Sequence, residues 1–269
     1  MAENIIRVLF IADIVGNPGL NALEEALPVL RETHKPDLIV ANGENSAHGK
    51  GLTPHIAEGL FQSGIQVITT GNHIWSRKNI FESLEHDPRI LRPLNYPADT
   101  PGHGSTVLTV KGKRIGVVNL QGRAFMYSID CPFRCMDEEI KRLRGQQASI
   151  VIVDFHAEAT AEKIALAWYL DGRVSSVIGT HTHVQTADER ILPGGTSTIT
   201  DAGMTGPVDS VIGMDKDTAV KRFRTQLPVM YRIASGDSIV CGVGLTIDSE
   251  TGQSLSIVRF QYHSNTSKP

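Results

Sequence analysis

The chain has 269 residues, 41% of them hydrophobic and 20% charged, and this length is expected to fold as a single domain over residues 1–269 around a substantial core. Its formal net charge of −3 and sequence pI near 6.4 exclude the basic stripe that extended duplex binding needs, while leaving room for a small anionic substrate held locally. The three cysteines, Cys131, Cys135 and Cys241, have no CxxC spacing, which excludes a disulfide framework or a thiolate zinc site and predicts reduced, structural thiols.

At the N-terminus, "IIRVLFIA" predicts a strand that runs into Asp13. The apolar stretch there is too short for a bilayer span or a signal sequence, so no membrane partner and a cytoplasmic location are expected. "LNALEEALPVLRETH" predicts a helix with Leu20, Leu23, Leu27 and Leu30 on one face. "PDLIVAN" is the next strand, followed by Glu44 and Asn45. "TPHIAEGLFQSG" carries the marks of a helix, with Thr53 as N-cap, Pro54 in the first turn and Gly64 as the stop. "IQVITTG" leads to Asn72 and His73, "STVLTVKGKRIGVVNL" predicts a hairpin, and "SIVIVDF" leads to His156. A third helix, "AEKIALAWYL", precedes "VSSVIG", after which come His181 and His183. Residues 200–213, "TDAGMTGPVDSVIG", read equally as a tight structural turn or as a substrate-contacting loop. A second hairpin is predicted in the span 231–263, and the tail "HSNTSKP" is expected to fray. Near-continuous apolar strands alternating with helices, together with the hairpins, predict an α/β protein with two mixed sheets flanked by helices.

If His181 and His183 lie in extended chain, their side chains project to the same side. Asp13, Glu44, Asn45, Asn72, His73, His156, His181 and His183 all follow apolar runs, and the carboxyl ends of strands are where α/β sheets build sites. Singly, each has an ordinary role as a turn cap, loop amide or core histidine. Together they predict one cleft.

The ordered set Asp13, Glu44, "GNH" at 71–73, His156 and "HTH" at 181–183 resembles the calcineurin-like metallophosphoesterases over most of the chain. "FIADIVGNPG", "ANGENSAHGKGLT", "TGNHIW" and "TDAGMTGP" are most similar to the YmdB-type branch of bacterial phosphodiesterases. The resemblance implies a four-layer α-β-β-α sandwich. It also implies two divalent ions, one held by Asp13, Glu44, Asn45 and His183 and the other by Glu44, Asn72, His156 and His181, with Glu44 bridging. Val15 stands where the wider superfamily has a ligand histidine, and Asn45 takes that place in YmdB-like proteins.

Oxygen and imidazole donors without thiolate suit iron or manganese best, with zinc or magnesium also compatible. Two such ions can clamp a phosphate and generate a hydroxide nucleophile, and His73 is placed to protonate the departing alkoxide. The expected activity is hydrolysis of cyclic nucleotides, above all 2',3'-cyclic species, to 3'-nucleotides. Alternatives on the same site are a phosphomonoesterase, a nuclease with RNA as substrate, or a non-catalytic nucleotide-sensing regulator. A homo-oligomer is compatible with the sequence. "DIVGNPG" lacks GxGxxG spacing and GK[ST], which disfavours redox and kinase chemistry.

Overall fold

In chain order the strands of the computed structural model, which describes residues 4–264, are β1 (Ile5–Ile11), β2 (Asp13–Ile14), β3 (Leu38–Asn42), β4 (Val67–Thr69), β5 (Ser105–Val110), β6 (Lys113–Gln121), β7 (Ile150–His156), β8 (Ser176–Thr180), β9 (Arg190–Ile191), β10 (Ser197–Ile199), β11 (Met204–Pro207), β12 (Ser238–Asp248) and β13 (Ser254–Ser264). The α-helices are α1 (Gly16–His34), α2 (Pro54–Gln62), α3 (Phe81–His86), α4 (Pro132–Gly145), α5 (Thr160–Leu170) and α6 (Lys216–Thr225).

One sheet has the order β2-β11-β12-β1-β3-β4, with β13 on the other edge of β12; the second has the order β5-β6-β7-β8-β10-β9. Parallel ladders join β1, β3 and β4 in the first sheet and β6, β7, β8 and β10 in the second, so both sheets are mixed. Strand alternation sorts the side chains. From β1, Ile6, Val8 and Phe10 enter the interior between the sheets, where Ile115, Val117, Ile150 and Ile152 of the second sheet meet them. Leu9 and Ile11 face the opposite way and pack with Leu23, Leu27 and Leu30 of α1 and Leu60 of α2. Val151, Val153 and Phe155 of β7 do the same against Met136, Ile140 and Leu143 of α4 and Leu166 and Leu170 of α5. The layers are therefore helix, sheet, sheet, helix, as anticipated.

Several boundaries differ from the sequence reading. Helix α1 begins at Gly16, one turn before Leu20, because Gly16 supplies a positive φ of 56° at the entry and Gly19 N–H already donates to the Val15 carbonyl. Helix α4 was not anticipated, although Met136, Ile140 and Leu143 have helical spacing. The first hairpin turns at Lys111 and Gly112, both at positive φ. The second is confined to β12 and β13. His263 and Ser264, expected to fray, pair with Ile239 and Ser238, while residues 265–269 of that tail lie outside the described residues. The cysteines are free, and Cys241 is buried in β12. No described helix is long and apolar enough to cross a membrane.

Candidate metal centre

Beyond the carboxyl ends of β3, β4, β7 and β8 lies a buried polar cluster. Glu44, His156 and His181 each offer a ligand atom, and these atoms all lie within 4.8 Å of one another. His156 Nε2 is 3.0 Å from Glu44 Oε1, 3.2 Å from Asn72 Oδ1 and 2.9 Å from His181 Nδ1. Asp13 Oδ1 lies 3.8 Å from His156 Nδ1 and 3.8 Å from His183 Nε2. Asn45 donates through Nδ2 to the Gly49 carbonyl, 3.1 Å away, which leaves its Oδ1 for another partner.

The outer partners of the three imidazoles decide where their lone pairs point. Thr180 Oγ1 donates its only proton to Asp154 Oδ1 at 2.6 Å, so it accepts from His156 Nδ1–H at 3.0 Å, and the Nε2 lone pair faces Glu44 and Asn72. His183 Nδ1 is 3.0 Å from the Ile212 carbonyl, which can only accept, so the Nε2 lone pair faces Asp13. His181 Nε2 is 3.1 Å from Glu158 Oε2, which turns the Nδ1 lone pair inward. With the Nε2 proton of His156 displaced, lone pairs and carbonyl or carboxylate oxygens converge, while backbone N–H groups reach Glu44 Oε2 from His73 and Asp13 Oδ2 from His181. Asp13 Oδ1 and Asn45 Oδ1 are moreover buried with no hydrogen-bond partner. A buried acceptor left in that state is costly, and a cation is the partner that satisfies every group at once. The donor set fits a divalent metal.

Electrostatics point the same way. Burial alone would lower the His156 imidazole, but the Glu44 carboxylate overrides it and lifts the pKa to about 9. Burial alone would raise Glu44, but His156 and the His73 amide draw it down to about 2. The site seeks positive charge, and a proton on His156 supplies it. Burial holds Asp13 well above the usual carboxylate range, and burial together with neighbouring His156 takes His181 down to about 3, the neutral form a metal ligand requires.

Local structure explains the placement. His181 and His183 are not in extended chain: β8 ends at Thr180, and both residues adopt positive φ, 98° and 66°. The two rings reach the cluster through this turn, not through strand alternation. Asp201 braces it, accepting from Thr182 N–H at 3.0 Å, Thr182 Oγ1 at 2.6 Å and Lys163 Nζ at 2.8 Å, so at Asp201 the loop of residues 200–213 is structural. Gly71 is required for approach: a Cβ there would stand 2.4 Å from Glu44 Oε2 and 2.2 Å from His156 Cδ2. Val15 is fully buried and packs beside Gly206 and Gly213. His73 donates its backbone N–H to Glu44 Oε2 at 3.0 Å; burial lowers its imidazole pKa against the pull of Glu44.

Sequence reasoning missed the support beneath the cluster. Asp154, fully buried, accepts from Asn42 Nδ2 at 2.9 Å and Thr69 Oγ1 at 2.5 Å as well as from Thr180, tying three strand ends together. The available signal was a carboxylate inside the apolar run "SIVIVDF". Glu158, the partner of His181, carried no such mark.

The sequence profile of the YmdB-like protein family matches residues 9–260. The chain is similar to the 2',3'-cyclic-nucleotide 2'-phosphodiesterase of Bacillus subtilis (strain 168), with 50% identity over 254 residues, 94% of this chain and 96% of that one. Among solved structures it resembles a hypothetical protein from Thermus thermophilus, with a TM-score of 0.91 and 42% identity over 96% of this chain and 100% of that one. It also resembles a novel phosphatase from Mycoplasma pneumoniae, with a TM-score of 0.92 and 32% identity over 98% of this chain and 95% of that one.

Proposed function

Because the chain belongs to the YmdB-like family and is a metallophosphoesterase-type hydrolase, we propose that it hydrolyses 2',3'-cyclic nucleotides to nucleoside 3'-phosphates on a binuclear centre. Asp13, Glu44, Asn45 and His183 would hold one divalent ion, and Glu44, Asn72, His156 and His181 would hold the other. Iron or manganese suits these oxygen and imidazole donors best. The ions supply charge neutralisation on the phosphate and a hydroxide nucleophile when bound. The observation that carries the reading is the convergence of Glu44, His156 and His181 within 4.8 Å beside the unpartnered Asp13 Oδ1.

The chain's own residues divide the remaining work. Glu44 would serve both ions, its charge offsetting the repulsion between two cations. Thr180 and the Ile212 carbonyl keep His156 and His183 in the tautomer that offers Nε2. His73 protonates the leaving 2' oxygen. An imidazole, which ordinarily titrates near neutrality, is the side chain suited to that proton transfer.

Chromatography of the products from 2',3'-cyclic AMP tests the reaction, and nucleoside 3'-phosphate alone is expected. A mixture of isomers, or preferential turnover of aryl phosphate monoesters or RNA, would replace the reading. His73→Ala should keep its metal and lose about a hundredfold or more in rate on the cyclic nucleotide. A nitrophenyl diester, whose leaving group needs little protonation, should be nearly unaffected.

A further inference from the structure

His156 and His183 have outer partners that cannot swing away: Thr180, fixed by buried Asp154, and the backbone carbonyl of Ile212. His181 differs. Its side chain is 20% exposed, against 0% for His156 and 8% for His183, and its Nε2 partner is Glu158, a side chain 49% exposed on the connection between β7 and α5. The backbone at His181 is set by other contacts, its N–H reaching Asp13 Oδ2 at 3.4 Å and the next residue bound to Asp201. Those contacts fix the Cα, while the ring itself is set by His156 on its inner side, where a metal would sit, and by Glu158 on its outer side. The wrong tautomer would aim an N–H at the cation.

We propose that Glu158 is a positioning residue for His181: its carboxylate accepts from Nε2–H, locks the ring with Nδ1 inward, and selectively tightens the one metal ion that His181 helps to hold. The inference rests on the binuclear reading above. A carboxylate on the outer nitrogen makes the inner one more basic, and loss of such a partner typically weakens metal affinity 10–100-fold. A Glu158 that merely attracted cations by its charge would act on both ions and would not need His181.

The test is calorimetric titration of Mn²⁺ into metal-free protein, comparing wild type, Glu158→Ala, Glu158→Gln, His181→Ala and the double variant. Two binding events are expected for wild type, and Glu158→Ala should weaken one of them about 10–100-fold while leaving the other unchanged. Glu158→Gln, which keeps a neutral acceptor, should weaken the same event less. In the His181→Ala background, Glu158→Ala should have no further effect. Unchanged affinity in Glu158→Ala would overturn the proposal. So would equal weakening of both events, further weakening in the His181→Ala background, or a lower melting temperature of the metal-free variant. If wild type takes up no Mn²⁺, the binuclear reading fails and this inference falls with it; wild-type uptake with any overturning variant result fails the inference alone.

Discussion

The inward face of β7 reads Ile150, Ile152, Asp154, His156, and this change of character halfway along one strand divides the sandwich interior into two regions. The same division recurs on its neighbours: Leu38 and Val40 give way to Asn42 on β3, Ile115 and Val117 to Asn119 and Gln121 on β6, and Ile178 to Thr180 on β8. All of these side chains are buried. In the apolar half they are held by non-directional burial, each side chain contributing about 1.5–3 kcal/mol, and many shapes of similar volume would serve. In the polar half they are held by directed bonds that cross between the sheets, such as Asn42 to Asp154 at 2.9 Å and Thr70 N–H to Asn119 Oδ1 at 2.9 Å. The difference teaches where a site can be built. A polar storey held by such bonds is rigid, and Asp13 Oδ1 and Asn45 Oδ1 are among the buried oxygens left unpartnered and free for a ligand.

The sharpest way to separate the regions is Glu44→Gln, which removes one negative charge from the polar half and nothing from the apolar half. Hydrolysis should fall by about a hundredfold or more and both metals should bind more weakly, since one bridging charge serves two cations. Metal analysis beside the activity assay checks it, and full occupancy in this variant would remove Glu44 from the bridge.

Next in size is a matched pair on one strand face. Ile152→Ala should cost about 3 kcal/mol through the cavity it leaves, with the same loss whether or not Mn²⁺ is present. Asp154→Ala strands three buried donors, on Asn42, Thr69 and Thr180, and should cost about 3 kcal/mol as well. It should also reduce the stabilisation gained on adding Mn²⁺, because Thr180 no longer fixes the His156 tautomer. Urea titrations with and without metal measure both, and an identical metal response in the two variants would erase the distinction.

The smallest effect is one of pH. The pKa of His156 is raised to about 9 from 6.5, so its stabilising contribution to the metal-free fold is complete below pH 6.5 and is lost as pH rises through about 9. Asp13, also raised, works in the same direction. A bound cation replaces the His156 proton, so the rise in melting temperature on adding Mn²⁺ should be larger at pH 9 than at pH 6.5. A gain independent of pH would mean that His156 carries no proton for the metal to displace.

The apolar half was legible residue by residue, because burial leaves a period: β1, β3, β6, β7 and β8 stand where "IIRVLFIA", "PDLIVAN", "RIGVVNL", "SIVIVDF" and "VSSVIG" place them. Helix α2 was legible through chemistry, with Thr53 Oγ1 accepting from Ile56 N–H and Pro54 in the first turn. The prominent side chains of the cluster were legible because Asp, Glu, Asn and His gather just past strand ends. What stayed hidden was the second ring of contacts. Thr180 and Lys163 gain their meaning from partners 26 and 38 residues away, and Glu158 gains its own from His181, beyond α5 and β8. No local pattern encodes such pairs. The turn at His181 and His183 departs from the extended geometry considered for it, since positive φ at two non-glycine residues has no sequence signature and is sustained by bonds such as those around Asp201.

Anomalous diffraction from crystals of the protein grown with Mn²⁺ tests the central claim most directly. The account predicts two peaks about 3.5–4 Å apart, both in contact with Glu44, one also reaching Asp13, Asn45 and His183 and the other Asn72, His156 and His181. A single peak, or two peaks of which Glu44 touches fewer than both, would contradict it.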